Sequence, residues 1–186
     1  GEWCRSLTAT MHELGHTLGL IHSNEKGVAY GDSTGYMSAG HIQTDWPRKC
    51  FNGINNWQLG WYYRRQQTVS RDSLKYGHLI KLATFVDFNR TDYDEPVLLN
   101  IAEKFYLQYN VAKEFNVDTE EKRNMVTITA PGEGGSDSIA GLLEGESYTF
   151  KRFEGRFPSL VVEACRKSSG SLGAEMMIVS VSLGRS

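Results

Sequence analysis

The sequence has almost no net charge and no long hydrophobic run. Its 20 Lys+Arg against 22 Asp+Glu give a formal net charge of -2 over 186 residues. This near balance removes the electrostatic basis for binding nucleic acid or an anionic membrane. No window approaches the roughly 18 consecutive apolar residues that a membrane span requires. Because hydrophobic residues make up 40% of the chain, we expect a soluble, folded protein, and we expect it to be a monomer.

Cysteine is scarce, and its three residues form an odd number. At least one thiol is therefore free, joined to another chain, or paired with a segment outside this sequence. We predict a disulfide between Cys4 and Cys50. Asn89 opens the tripeptide Asn-Arg-Thr, which makes it a candidate for N-glycosylation and fits a secreted protein.

The first third of the chain contains one clear helical pattern. Residues 5–18 are predicted to form an amphipathic helix that ends at Gly19, a residue suited to a left-handed cap. The stretch from there to about residue 60 is rich in Gly, Asn and Ser, so we predict mostly turns and loops with a short helix over 55–59. The apolar stripe of the first helix consists of Leu7, Met11, Leu14 and Leu18.

From about residue 75 apolar and polar residues alternate with period two, which is typical of β-strands. With no helical pattern between the strands, residues 75–186 are predicted to form an antiparallel, jelly-roll-like β-sandwich, and residues 1–74 a separate helix- and loop-rich domain. The fold class is therefore α+β. Roughly seven strands are expected, at 79–86, 97–101, 105–111, 125–129, 147–153, 160–164 and 177–183.

The segment from His12 to His22 fills the pattern H-E-x-x-H-x-x-G-x-x-H at every fixed position. On a helix His12 and His16 differ by about 40° and one turn, so both imidazoles can face one ion. A continuous helix would carry His22 about 280° from His12 and roughly 9 Å beyond His16. The helix must therefore break before His22, and Gly19 can take the positive φ that the break needs. Glu13, on the flank, is predicted to act as general base.

Three neutral histidines leave one open position in a tetrahedral site, as in a catalytic zinc. We therefore predict one Zn²⁺ held by His12, His16 and His22, and hydrolysis of a peptide bond by metal-activated water. Two alternatives remain open, namely histidines that bind no metal and a closed structural zinc with Cys4 or His41 as fourth ligand.

Asp92, Asp94 and Glu95 lie close together in the sequence and offer carboxylate oxygens, which calcium prefers. They lack the spacing of a known calcium loop, so the sequence favours an ordinary polar turn, with a calcium site as the alternative.

The zinc pattern resembles the signature of the metzincin metallopeptidases, and residues 36–38 are similar to their Met-turn, which implies that Met37 lies beneath the histidines. More closely, the chain resembles the gametolysin peptidases, family M11. This resemblance implies a secreted zinc metalloendopeptidase that cleaves glycoproteins of the extracellular matrix or cell wall. It also implies that residues 1–74 are the C-terminal, zinc-binding part of the peptidase domain. The similar segments are 22–23, 30–33, 35–37, 50–52, 57–62, 105–110 and 161–165.

In that family a sheet-containing half precedes the zinc helix, whereas eleven residues precede His12 here. We therefore expect the apolar residues of the helix to be less covered than those of a core helix, and the 186 residues alone to have little activity. The rival hypothesis is a catalytically inactive fragment that binds matrix through its β-sandwich.

Overall fold

A computed structural model of the chain describes residues 6–38, 48–153 and 158–184. Within these ranges two α-helices occur, α1 (Leu7–Thr17) and α2 (Gly53–Leu59), and neither is long and apolar enough to cross a membrane. The ten strands are β1 (His22–Glu25), β2 (Gln66–Val69), β3 (His78–Ala83), β4 (Leu98–Ile101), β5 (Phe105–Asn110), β6 (Met125–Gly132), β7 (Gly135–Leu142), β8 (Ser147–Phe150), β9 (Leu160–Ser169) and β10 (Glu175–Leu183).

The strands form two sheets. The larger has the order β1-β7-β6-β5-β4-β2, and the smaller has the order β3-β10-β9-β8. Every paired ladder between strands β3 to β10 is antiparallel, as predicted. The two parallel pairs, β1 with β7 and β2 with β4, each use a strand from the first 74 residues. The six-stranded sheet therefore crosses the predicted domain boundary, and the division at residue 74 stays a prediction.

One hydrophobic core draws on both sheets. The period-two pattern explains it, because in β10 Val179 and Val181 are buried while Ser180 and Ser182 are only partly so. The smaller sheet supplies Leu82, Leu160, Val162 and Met177, and the larger supplies Leu99, Ile101, Leu107, Val126 and Ile128. The α+β class is consistent with this architecture, while the jelly-roll-like topology stays a prediction.

The prediction from sequence missed three strands. β1 lies in the stretch that was predicted to be turns and loops, and no element was predicted over β2. Each consists of four residues with little apolar pattern. β7 has the sequence GSDSIAGL, whose small and polar residues carry no strand propensity. These segments are extended because neighbouring strands supply hydrogen-bond partners. Both helices are predicted to within two residues, since α1 covers Leu7–Thr17 rather than 5–18 and α2 begins at Gly53 rather than at residue 55. The strand ends are predicted less well: the strand predicted over 79–86 ends at Ala83, before a 3₁₀ helix over Phe85–Arg90, and β9 continues to Ser169 rather than ending at residue 164.

Candidate metal centre

α1 positions two of the three histidines. The Nδ1 atom of His12 lies 2.8 Å from the carbonyl oxygen of Tyr36, and that of His16 lies 3.0 Å from the carbonyl oxygen of Leu20. A carbonyl only accepts hydrogen bonds, so each Nδ1 carries the proton and each Nε2 keeps its lone pair. Both rings are thus held in the tautomer that binds a metal through Nε2.

The helix ends where the third histidine requires it to end. Gly19 has φ +85°, its N–H donates to the His16 carbonyl at 3.0 Å, and the N–H of Leu20 donates to the Gly15 carbonyl at 2.9 Å. This pair of bonds is a Schellman motif, which needs a left-handed residue and so favours glycine. The helix therefore ends before His22, and the left-handed Gly19 turns the chain so that His22 can approach the helix.

The third histidine begins β1, the edge strand that pairs in parallel with β7. His22 lies opposite Gly135, and a Cβ built on Gly135 would collide with the carbonyl oxygen of His22. The next residue, Ser23, donates its N–H to the Met37 carbonyl at 2.8 Å. The position of His22 therefore depends on a strand that follows it by more than a hundred residues.

The three imidazoles converge. Their ligand atoms lie within 4.8 Å of one another, and the Nε2 atoms of His16 and His22 are 3.2 Å apart. Two nitrogens bound tetrahedrally at about 2.1 Å from zinc are separated by about 3.4 Å, so this pair already has the required spacing. The pKa of His22 is lowered, first by burial and then by the neighbouring His16 and His12. A lowered pKa favours the neutral ring that binds metal, and the three histidines fit a zinc ion.

Glu13 lies on the solvent side of this cluster. Its side chain is exposed, and its charge acts on the imidazole of His22, whose pKa it raises against the larger lowering effects. The carboxylate is thus near the histidines and open to solvent, where a general base must meet both a water molecule and a substrate.

Met37 is fully buried beneath α1, in a cluster with Leu20, Tyr36 and Phe51. A Cβ on Gly15 would collide with the Met37 sulfur and would lie 3.2 Å from the ring of Phe51. Because Gly15 has no side chain, Met37 can pack against the helix at this position. The prediction from sequence did not identify Gly15, although a glycine inside a helix, which costs about 1 kcal/mol relative to alanine, was a usable signal.

A buried polar network supports β1 from behind. The side-chain nitrogen Nδ2 of Asn52 donates to the hydroxyls of Ser23 and Ser136 and to the carboxylate of Asp32, each at 3.0 Å. Asn52 also caps α2 by accepting from the N–H of Asn55 at 3.1 Å. The network connects β1, β7 and the start of α2, and no local sequence pattern indicates it.

The remaining predicted residues do not join this centre. Cys4 and His41 lie outside the described residues, so the closed-zinc alternative stays a prediction. Cys50 is a free thiol, which contradicts the predicted disulfide. It is 8% exposed and donates to the side-chain oxygen of Asn56 at 3.6 Å, and burial raises the pKa of its thiol to about 11. Asn89 is exposed, as a glycosylation site must be.

The acidic residues weighed as calcium ligands do not form a metal site among the described residues, in line with the polar turn that the sequence favours. A carboxylate oxygen of Glu95 accepts from the N–H of Asp92 at 2.9 Å, and the other accepts from the N–H of Ser171 at 3.1 Å. These carboxylates stabilise a turn, and together with Asp94 they do not converge on one point.

A second acidic cluster, formed by Glu25, Asp32 and Glu121, does converge within 4.8 Å. The ammonium group of Lys122 already lies 2.6 Å from the Glu25 carboxylate. The lysine therefore supplies the positive charge that this cluster requires.

Comparison with known proteins agrees with this geometry. The family described as Gametolysin peptidase M11 matches residues 1–91, which include α1, the three histidines and Met37. No curated protein and no solved structure matches the chain. The family match supports a metallopeptidase kind of function for a chain whose histidines can hold a metal.

Proposed function

We propose that this protein is a zinc-dependent endopeptidase. The observation that carries the proposal is the convergence of three imidazoles, two of them fixed with Nε2 free, beside an exposed carboxylate. Neutral histidine nitrogens are typical zinc ligands, and three of them leave a position for water and substrate. The match of residues 1–91 to a metallopeptidase family supports the same reaction class.

His12, His16 and His22 would hold the zinc ion through nitrogen atoms. When bound there, zinc supplies Lewis-acid activation of a water molecule and of the peptide carbonyl. Glu13 accepts a proton from the water through its carboxylate and returns it to the nitrogen of the leaving amine. Met37, packed against Gly15, supports the helix that carries these groups.

The proposed substrates are proteins or glycoproteins of the extracellular matrix or cell wall, and the proposed location is outside the cell. The resemblance to the gametolysin peptidases supports both proposals, and the exposed side chain of Asn89 fits them. Mass spectrometry of the secreted protein before and after enzymatic deglycosylation tests the location. A sugar-dependent mass shift on the peptide containing Asn89 is the expected result, and a protein retained in the cytoplasm would contradict it.

The reaction is tested by Glu13→Gln, with Glu133→Gln as control because Glu133 is also exposed but lies in the turn between β6 and β7. Because the 186 residues alone are expected to have little activity, cleavage of an unstructured protein is measured on chains that also carry the preceding sheet-containing half, together with their zinc content. Glu13→Gln should lower the rate about 100-fold or more while the zinc content stays unchanged, since a general base contributes about 10² to 10⁴. The control should cleave like the wild type.

Two results would contradict the proposal. One is a Glu13→Gln protein that cleaves at the wild-type rate. The other is a zinc-loaded protein that also carries the sheet-containing half expected before the zinc helix and still cleaves nothing. If this protein binds wall glycoprotein in the presence of a chelator, the non-catalytic rival is favoured.

A further inference from the structure

Tyr30 lies directly against the third histidine. Its ring centroid is 3.9 Å from that of His22, with the two planes tilted by 36°, and 6.1 Å from that of His12. The sequence predicts no role for Tyr30 beyond its place in a segment of family resemblance. Its contact with a predicted metal ligand makes it the nearest aromatic neighbour of His22 among the described residues.

The three histidines are held in different ways. His12 and His16 each donate an Nδ1 proton to a backbone carbonyl, which fixes the ring. Among the described residues no carbonyl accepts a hydrogen bond from His22, whose ring contacts those of His12 and His16. The ring of Tyr30 lies closer than either and covers a face of the His22 imidazole. A metal binds imidazole in the ring plane, so contact on the face restrains rotation and leaves Nε2 accessible.

The backbone brings Tyr30 to this place under strain. After β1 a tight turn with φ +51° at Lys26 and +76° at Gly27 folds the chain back, and Glu25 and Val28 exchange backbone hydrogen bonds of 3.1 and 2.8 Å. Tyr30 itself has φ +61°, which is rare for a bulky side chain. Its N–H is held by the side-chain oxygen of Asn24 at 3.2 Å. A strained residue held by its surroundings at a candidate site is a reason to look for a function.

We propose that Tyr30 is a positioning residue of the metal centre, and that its ring, rather than its hydroxyl, holds His22 in the orientation that binds the ion. The inference rests on the proposed zinc site. It explains why the loop keeps an aromatic residue in a left-handed conformation that glycine or asparagine would adopt more easily.

The test measures zinc affinity by competition with a chromogenic chelator, and the thermal midpoint of the zinc-free protein. Tyr30→Gly and Tyr30→Asn both suit the left-handed backbone and remove the ring, so the zinc-free protein should stay folded. Both should weaken zinc binding about 10- to 100-fold, the usual effect of losing a group that orients a ligand. Tyr30→Phe keeps the ring and should bind zinc within twofold of the wild type.

Lys26→Gly is the matched control, because Lys26 lies in the same loop at φ +51° but its side chain points to solvent. Its zinc affinity should also stay within twofold of the wild type, which separates the loss of the ring from a loosened loop. Cobalt substitution gives a second readout. The visible spectrum of the cobalt-loaded protein should change in Tyr30→Gly and Tyr30→Asn. It should remain unchanged in Tyr30→Phe and in Lys26→Gly.

The outcomes separate this inference from the proposed function. If the wild type binds no zinc, the proposed metal site is wrong. If the wild type binds zinc and the Gly and Asn variants bind it equally well, only the role of Tyr30 is overturned. If Tyr30→Phe is as weak as Tyr30→Gly, the hydroxyl holds the site and the ring-contact inference is wrong.

Discussion

The helix and the strand that carry the histidines are ordered by different means. α1 places His12 and His16 through its own turn and through the carbonyls of Tyr36 and Leu20, both within the first 36 residues. β1 places His22 through pairing with Gly135 and Ser136, in a part of the chain beyond the family match to residues 1–91. A contiguous eleven-residue motif can therefore depend on a distant strand for the position of its last ligand.

The two regions also differ in how well they are covered. Leu7, Leu14 and Leu18 of α1 are 39%, 43% and 47% exposed, which confirms the expectation that the apolar face of the helix is poorly covered. The strands behind His22 belong to a sheet whose core residues are almost fully buried. A well-packed sheet thus supports one edge of the site, whereas the helix at the other edge exposes its apolar side chains to solvent.

The largest expected effect comes from Gly135→Ala. The added methyl group would collide with the His22 carbonyl, and φ at this position is +144°, so β1 should be displaced and zinc binding weakened by more than about 100-fold. Isothermal titration with zinc measures the effect. Gly134→Ala is the control, since Gly134 also has a positive φ but an added Cβ there contacts nothing within 4 Å. Equal zinc affinities for the two variants would contradict the proposal that the position of His22 depends on β7.

A smaller effect is expected when the network behind β1 is removed. Asn52→Ala deletes the buried donor to Ser23, Asp32 and Ser136 and should lower the free energy of unfolding by about 2–4 kcal/mol, measured by urea denaturation. Asn52→Ser keeps an oxygen that can cap α2, an interaction that contributes about 1 kcal/mol. The Ser variant should therefore remain clearly destabilised. Recovery to wild-type stability would show that Asn52 acts only as a helix cap.

The smallest effect is predicted on the helix side. Gly15→Ala should gain about 1 kcal/mol of helix propensity but lose more through the collision with Met37, for a net destabilisation of about 1–2 kcal/mol. The double variant Gly15→Ala, Met37→Ala removes the colliding sulfur. It should be more stable than the sum of the single effects indicates, as measured by a double-mutant cycle. Strict additivity would mean that Gly15 does not make room for Met37.

The sequence predicted the helix side of the site well, because helical spacing and the glycine break are local properties of residues 12–22. The antiparallel strands of residues 75–186 were also predictable, since they alternate in polarity. The sequence could not reveal β7, whose small polar residues become a strand only when β6 is beside them. The network of Asn52 and the contact of Tyr30 with His22 were hidden for the same reason, because they arise from tertiary contacts and not from spacing.

The central claim is that one zinc ion is held by His12, His16 and His22. X-ray absorption at the zinc edge of the purified, zinc-loaded protein tests it most directly. The expected spectrum shows three imidazole nitrogens at about 2.0–2.1 Å from the zinc ion, an additional oxygen donor and no sulfur. A zinc–sulfur distance of about 2.3 Å, or a spectrum that is unchanged in His22→Ala, would contradict it.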